Sequence, residues 1–290
     1  MSTNQTKWCV VVTTLLAPLL VCAQTPSIPP QATTVDGATA HVYKSIGEVQ
    51  LRLHVFKTEA PDAPARGPAI VFFFGGGWTQ GSVTQFAPQA KYLAGRGMVA
   101  IVADYRVRSR HGTSPFEAMA DAKSAVRWVR THAAQLGVDP DRIAAGGGSS
   151  GGHIALSAAV FDTFDEAGED KTVSSKPNAL VLFNPAVDPQ FGDRGRDGSP
   201  LQHLRAGLPS TLVLHGRSDA TVPYADVERF CATAKALGNQ CQLVGYEGAS
   251  HGFFNPQNAD GKWYRETLLE ADRFLVKTGY LRGPTPTQIR

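Results

Sequence analysis

The sequence predicts an α/β domain: a mostly parallel central sheet of about eight strands, with helices on both faces. Two observations carry this prediction. Short uninterrupted apolar runs recur along the chain, as strands buried on both faces require. Longer segments with apolar residues at helical spacing separate them, and such alternation sets successive strands parallel with helices as crossovers. No internal repeat and no linker interrupts residues 40–280, so one domain is expected over 39–282, with 283–290 as a C-terminal tail.

The strands read in order. VQLRLHVF (Val49–Phe56) alternates apolar and polar residues, the period-two mark of a half-buried strand. AIVFFF (Ala69–Phe74), MVAIVAD (Met98–Asp104), ALVLF (Ala179–Phe183) and TLVLH (Thr211–His215) are continuous runs, with RIAAG (Arg142–Gly146) and CQLVGY (Cys241–Tyr246) as weaker members. Helices are expected at 86–95, 116–135, 152–161, 223–237 and 262–278. In the second of these, Ala118, Ala122, Ala125, Val126 and Val129 repeat at helical spacing. Gly137 then ends it, and Pro140 turns the chain into the next strand. Asp162–Lys176 and Asp188–Gly207 break the alternation and are read as surface excursions that build a small lid.

The amino terminus reads as a targeting segment. Lys7 precedes WCVVVTTLLAPLLV and the small residue Ala23, the layout of a signal peptide over 1–23 cleaved before Gln24. The apolar run is short for a spanning helix and contains Pro18, so no stable membrane insertion is expected after cleavage. An exported protein, periplasmic or extracellular, follows. Residues 24–38, rich in Pro, Thr and Gln, are expected to form a flexible leader. Cleavage would leave Cys231 and Cys241, whose ten-residue spacing in an exported chain suggests a disulfide. The 28 basic and 25 acidic residues are nearly balanced, which gives no basis for nucleic-acid binding.

Chemistry concentrates in four loops. GGGSSGGH (Gly146–His153) follows a short strand and opens an apolar helix, the setting in which G-x-S-x-G becomes a nucleophile elbow. Two registers fit, on Ser149 or Ser150; Ser149 is preferred because Gly151 and Gly152 then follow it, where helix and strand must pack closely. The octet also spells G-x-G-x-x-G, but it does not open the first βαβ unit, and no Lys makes it a phosphate loop. A serine needs a base and an orienting acid. Asp219 lies four residues past TLVLH and His251 five residues past CQLVGY, so the order is Ser, Asp, His. Asp226 and Glu247 are rival acids. Gly75-Gly76-Gly77-Trp78 follows AIVFFF, and the N–H groups of Gly76, Gly77 and Ser150 are the expected oxyanion donors. Trp78, Phe253 and Phe254 are candidate pocket residues. No metal-ligand spacing occurs, and neither metal nor cofactor is expected.

With FFFGGGW, DYR, DAKSAVRWVRTHAAQLGVDPDRIAAGGGSSGGH, HGRSDATVP and SHGFF in this order, residues 45–275 resemble serine esterases of the α/β-hydrolase superfamily. The resemblance is to the branch with hormone-sensitive-lipase-like carboxylesterases and feruloyl- and acetylxylan-esterase-type enzymes. It implies the α/β-hydrolase fold and two-step acyl transfer on a small-molecule or polysaccharide-linked ester. Two departures stand out: Phe74 occupies the place where the family's glycine loop often begins with His, and Ser150 stands where Ala is commoner. A lactone hydrolase, a peptidase of the same fold and a non-catalytic binding protein are the alternatives.

Overall fold

The computed structural model describes Met1, residues 31–57 and residues 65–289. The expected signal peptide and the start of the leader lie outside the described residues, Met1 apart. Eight strands form one sheet: β1 (Thr39–Ile46), β2 (Val49–Phe56), β3 (Gly67–Phe73), β4 (Val99–Ala103), β5 (Val138–Gly148), β6 (Ala179–Phe183), β7 (Ser210–Gly216) and β8 (Cys241–Tyr246). Their spatial order is β1-β2-β4-β3-β5-β6-β7-β8. The β1–β2 and β2–β4 pairs are antiparallel and the other five are parallel. The order of connection reverses around β3, whose neighbours are β4 and β5. Such a switch point opens a crevice at the carboxyl ends of the strands.

The uninterrupted apolar runs become the buried centre of the sheet, with every residue of β3, β4 and β6 buried. Strand β1 has no such signature. It lies on the sheet edge with a bulge between Val42 and Lys44, and Lys44 is buried because Asp121 accepts its Nζ at 2.7 Å. Three glycines end β5 because neighbouring atoms occupy their side-chain space, rings at Gly146 and Gly148 and backbone at Gly147. A Cβ at Gly146 would lie 2.9 Å from the Phe72 ring, and one at Gly148 only 2.4 Å from the Phe254 ring.

The helices are α1 (Ala87–Gly95), α2 (Arg108–His111), α3 (Pro115–Thr131), α4 (Ala133–Leu136), α5 (Ser150–Val160), α6 (Tyr224–Ala236) and α7 (Lys262–Lys277). Helix α3 starts cleanly because Ser114 and Glu117 form a reciprocal capping box. Asp272 of α7 is fully buried and ties that helix to α1, accepting from Tyr92 Oη at 2.8 Å and Arg96 Nε at 2.7 Å. Cys231 of α6 and Cys241 of β8 are joined by a disulfide, with Cα atoms 5.4 Å apart. Among the described residues no helix is long and apolar enough to cross a membrane.

Two expectations change. Residues 31–38, read as flexible leader, pack on the domain: Val35 is buried and Gln31 Nε2 donates to Asp104 Oδ1 at 2.8 Å. Of the two excursions, 162–176 is drawn to α3 by charge rather than laid over the sheet. Asp165 takes Lys123 and Arg127 at 2.7 Å each, and Glu166 meets Lys44 and Arg106. Only the 188–207 strip borders the cavity described next, through Asp188 and Pro189.

Candidate active site

The turn from β5 into α5 presents Ser149 with φ 54° and ψ −119°, backbone that a β-carbon disfavours. Such a residue costs about 1–3 kcal/mol and persists only when its surroundings hold it. Here they do. Ser149 N–H donates to Phe183 O at 3.0 Å, and Ser149 O accepts from His153 N at 2.9 Å and Ala186 N at 3.2 Å. The flanking glycines allow the close approach that this requires. A Cβ at Gly147 would sit 2.5 Å from Phe73 O, and one at Gly151 only 2.2 Å from the same oxygen.

His251 Nε2 lies 3.0 Å from Ser149 Oγ, and His251 Nδ1 lies 2.8 Å from Asp219 Oδ2. With Nδ1–H donated to the carboxylate, the Nε2 lone pair faces the serine hydroxyl. The other oxygen, Asp219 Oδ1, accepts from Thr221 N and Val222 N at 2.9 Å each. Burial alone would raise the acid's pKa. Hydrogen bonds from His215, His251 and the Val222 N–H outweigh it and hold Asp219 well below the usual carboxylate range. Ser150 is fully buried, and it is Ser149 whose hydroxyl faces the histidine. The rival acids sit elsewhere: Asp226 pairs with Arg229 at 3.1 Å, and Glu247 is exposed beside Arg217.

The glycine loop rides over this turn. A Cβ at Gly75 would lie 2.9 Å from Gly148 O, so only glycine lets the two loops touch. Gly76 and Gly77 follow at φ 139° and 63°, and their N–H groups meet no acceptor among the described residues. Phe74, standing where His is common, stacks on Tyr105 at 4.1 Å. The loop is fastened by Tyr105 Oη donating to Phe74 O at 2.7 Å and by Gly75 N–H donating to Gln85 Oε1 at 2.7 Å.

A cavity of about 240 Å³ opens beside Ser149, walled by Gly77, Trp78, Ala186, Val187, Val222 and Pro223, with Asp188 and Asp226 on its border. Trp78 therefore stands where the sequence suggested. Phe253 and Phe254 do not: Phe253 packs on Tyr246 and Trp263, and Phe254 on Phe86 and Phe183, both inside the core. Aromatic residues just past a histidine are equally suited to filling core space, and here Gly148 of β5 leaves that space for the Phe254 ring.

Three polar supports escaped the sequence reading. His215 Nε2 lies 2.9 Å from Val222 O and 3.3 Å from Asp219 Oδ2, bracing the loop that carries the acid. Asn184 Oδ1 accepts the Gly252 N–H at 3.1 Å, just after His251. His153 contacts both Trp78 and Gly198. Asn184 and His215 did leave a signal, a polar side chain at the carboxyl end of an apolar strand run. Among the described residues no group of three or more His, Cys, Asp or Glu could hold a metal ion.

An elbow serine facing a histidine and a buried carboxylate, set at the switch point of such a sheet, defines the serine-hydrolase class of this architecture. Comparison with known proteins agrees: the chain belongs to the α/β-hydrolase serine esterases. It superposes on a solved structure of Thermogutta terrifontis esterase 2 phosphorylated by paraoxon with a TM-score of 0.83 and 48% identity, covering 86% of this chain and 97% of that one. A propionate-bound structure of the same esterase gives 0.82 and 47%, with the same coverage. The BD-FAE family model matches residues 55–188, and the prolyl oligopeptidase family model matches 184–275. The chain is also 31% identical over 227 residues to a probable carboxylic ester hydrolase, LipM, of Mycobacterium tuberculosis, covering 68% of this chain. It spans about half the length of that curated relative, 52%.

Proposed function

We propose that this chain hydrolyses carboxylic esters of short acyl groups by two-step acyl transfer. The observation that carries the reading is the Ser149–His251–Asp219 relay, at 3.0 and 2.8 Å, beside a small and mostly apolar cavity. His251 Nε2 takes the hydroxyl proton as Ser149 Oγ attacks the ester carbonyl, and Asp219 steadies the imidazolium. The N–H groups of Gly76, Gly77 and Ser150 receive the oxyanion. His251 then returns its proton to the departing alcohol, leaving an acyl-serine. Water, deprotonated by the same histidine, releases the carboxylic acid and restores the serine. A cavity of about 240 Å³ suits an acetyl to butyryl chain, and the propionate-bound state of a 47% identical neighbour supports that size.

The natural setting follows from the amino terminus. A signal peptide at 1–23 would deliver a catalytic domain of 39–282 to the periplasm or the medium, where esters that decorate polysaccharides such as acetylated xylan are substrates of the right acyl size. The test is a series of p-nitrophenyl esters from acetate to decanoate, offered to residues 24–290 and to Ser149→Ala. We expect turnover to peak at four carbons or fewer and to fall at least about 10³-fold in the variant. The match of 184–275 to a peptidase family favours amide hydrolysis as the second reading. A folded wild type that cleaves peptide p-nitroanilides but no ester would select it.

A further inference from the structure

We propose that His153 is a positioning residue of this active site: it holds Trp78, and through Trp78 the Gly76–Gly77 turn, in the conformation the reaction uses. The inference rests on the esterase reading above. Three successive residues of the glycine loop have positive φ, Gly76 at 139°, Gly77 at 63° and Trp78 at 56°. Two are glycines, for which this costs little; Trp78 carries a β-carbon and a large ring, so something must keep it there.

The partner is His153, one helical turn beyond Ser149. Trp78 Nε1 lies 3.2 Å from His153 Nδ1. An indole N–H can only donate, so Nδ1 must be the bare nitrogen of the ring. The proton then sits on Nε2, which donates to Gly198 O at 2.8 Å. The fully buried imidazole stands edge-on to Trp78, with centroids 5.1 Å apart, and Phe191 closes the cluster at 5.1 Å from Trp78 and 5.6 Å from His153. Burial drives the ring's pKa down to about 4 despite the Gly198 carbonyl, so the accepting lone pair persists at neutral pH.

One side chain thus fastens two parts of the site: its Nδ1 holds the cavity wall and its Nε2 ties down the 188–207 strip, while the backbone N–H of the same residue makes the helical bond to Ser149 O at 2.9 Å. Releasing Trp78 would free the turn whose N–H groups face the oxyanion, and the loss should appear in the chemical step.

The experiment compares wild type, Trp78→Phe, His153→Leu, His153→Gln and the Trp78→Phe/His153→Leu double variant on p-nitrophenyl acetate and butyrate, with a thermal melt of each. Trp78→Phe keeps a ring but lacks the N–H. We expect it and His153→Leu each to lower kcat roughly ten-fold, since small displacements of catalytic groups cost this much or more, with KM within about two-fold. The double variant should be no slower than the slower single, the mark of a shared interaction. His153→Gln, which keeps an acceptor, should recover most of the loss. Additive losses, or a lowered Tm with kcat intact, would overturn the inference. If His153→Leu does not fold, Trp78→Phe decides alone, and an undiminished kcat there sinks the proposal. An inert wild type would instead sink the esterase reading and this inference with it.

Discussion

Two buried groups near the active site respond to acid in opposite directions. His153 has its pKa lowered to about 4 by burial. Its contribution to stability is therefore complete above its ordinary value near 6.5 and is lost as pH falls toward 4. Asp104, just past β4, is raised to about 6, because burial outweighs the hydrogen bonds from Gln31 and the Tyr105 N–H and the nearby charge of Arg110. It binds a proton more tightly folded than unfolded, so its contribution is complete below about 3.8 and is lost as pH rises through 6. Between pH 6.5 and 4 the two partly cancel. Replacing Asp104 by Asn should make the fall in urea midpoint across this window steeper, and His153→Gln should make it shallower. Midpoints at pH 7, 5.5 and 4.5 check both signs, and parallel profiles for all three proteins would refute this assignment.

At the scale of elements, the disulfide between α6 and β8 staples the carboxyl-terminal part of the sheet. It closes a loop of ten residues, and constraining a loop of that size in the unfolded chain is worth about 2.5 kcal/mol. Cys241 begins β8 whereas His251 follows its far end. Replacing both cysteines by serine should lower unfolding free energy by about that amount and leave kcat unchanged, read by urea titration and ester assay on one preparation. An unmoved midpoint would contradict it. Elements were legible in the sequence where one signal dominated. ALVLF became β6 residue for residue, since a continuous apolar run bounded by turn residues leaves little choice of limits. β1 was missed because an edge strand needs only one buried side and its buried Lys44 reads as polar surface. The 188–207 strip, held by Asp188 bonds to Ser199, Arg196 and Arg229, has no periodicity to read.

Across the whole molecule, the parallel sheet brings four loops, distant in sequence, to one edge. The glycine loop follows β3, the elbow β5, the Asp219 loop β7 and the His251 loop β8, and 102 residues separate Ser149 from His251. Each loop is marked by residue type, and the three residues that the order singles out, Ser149, Asp219 and His251, stand in one chain of hydrogen bonds. What order could not supply was the packing between loops. Phe254 serves the core because Gly148 in β5 leaves room for its ring, and Phe253 because it packs on Tyr246 and Trp263. Tyr105 and Gln85 fasten the loop that starts with Phe74, and only the fold brings them there. Covalent trapping decides whether Ser149 is the nucleophile. Incubation of the folded protein with paraoxon should release one equivalent of p-nitrophenol and leave a diethylphosphoryl group on the peptide containing Ser149, with no labelling of Ser149→Ala. A label on Ser150 or on any other residue, or a folded and unlabelled wild type, would contradict the account.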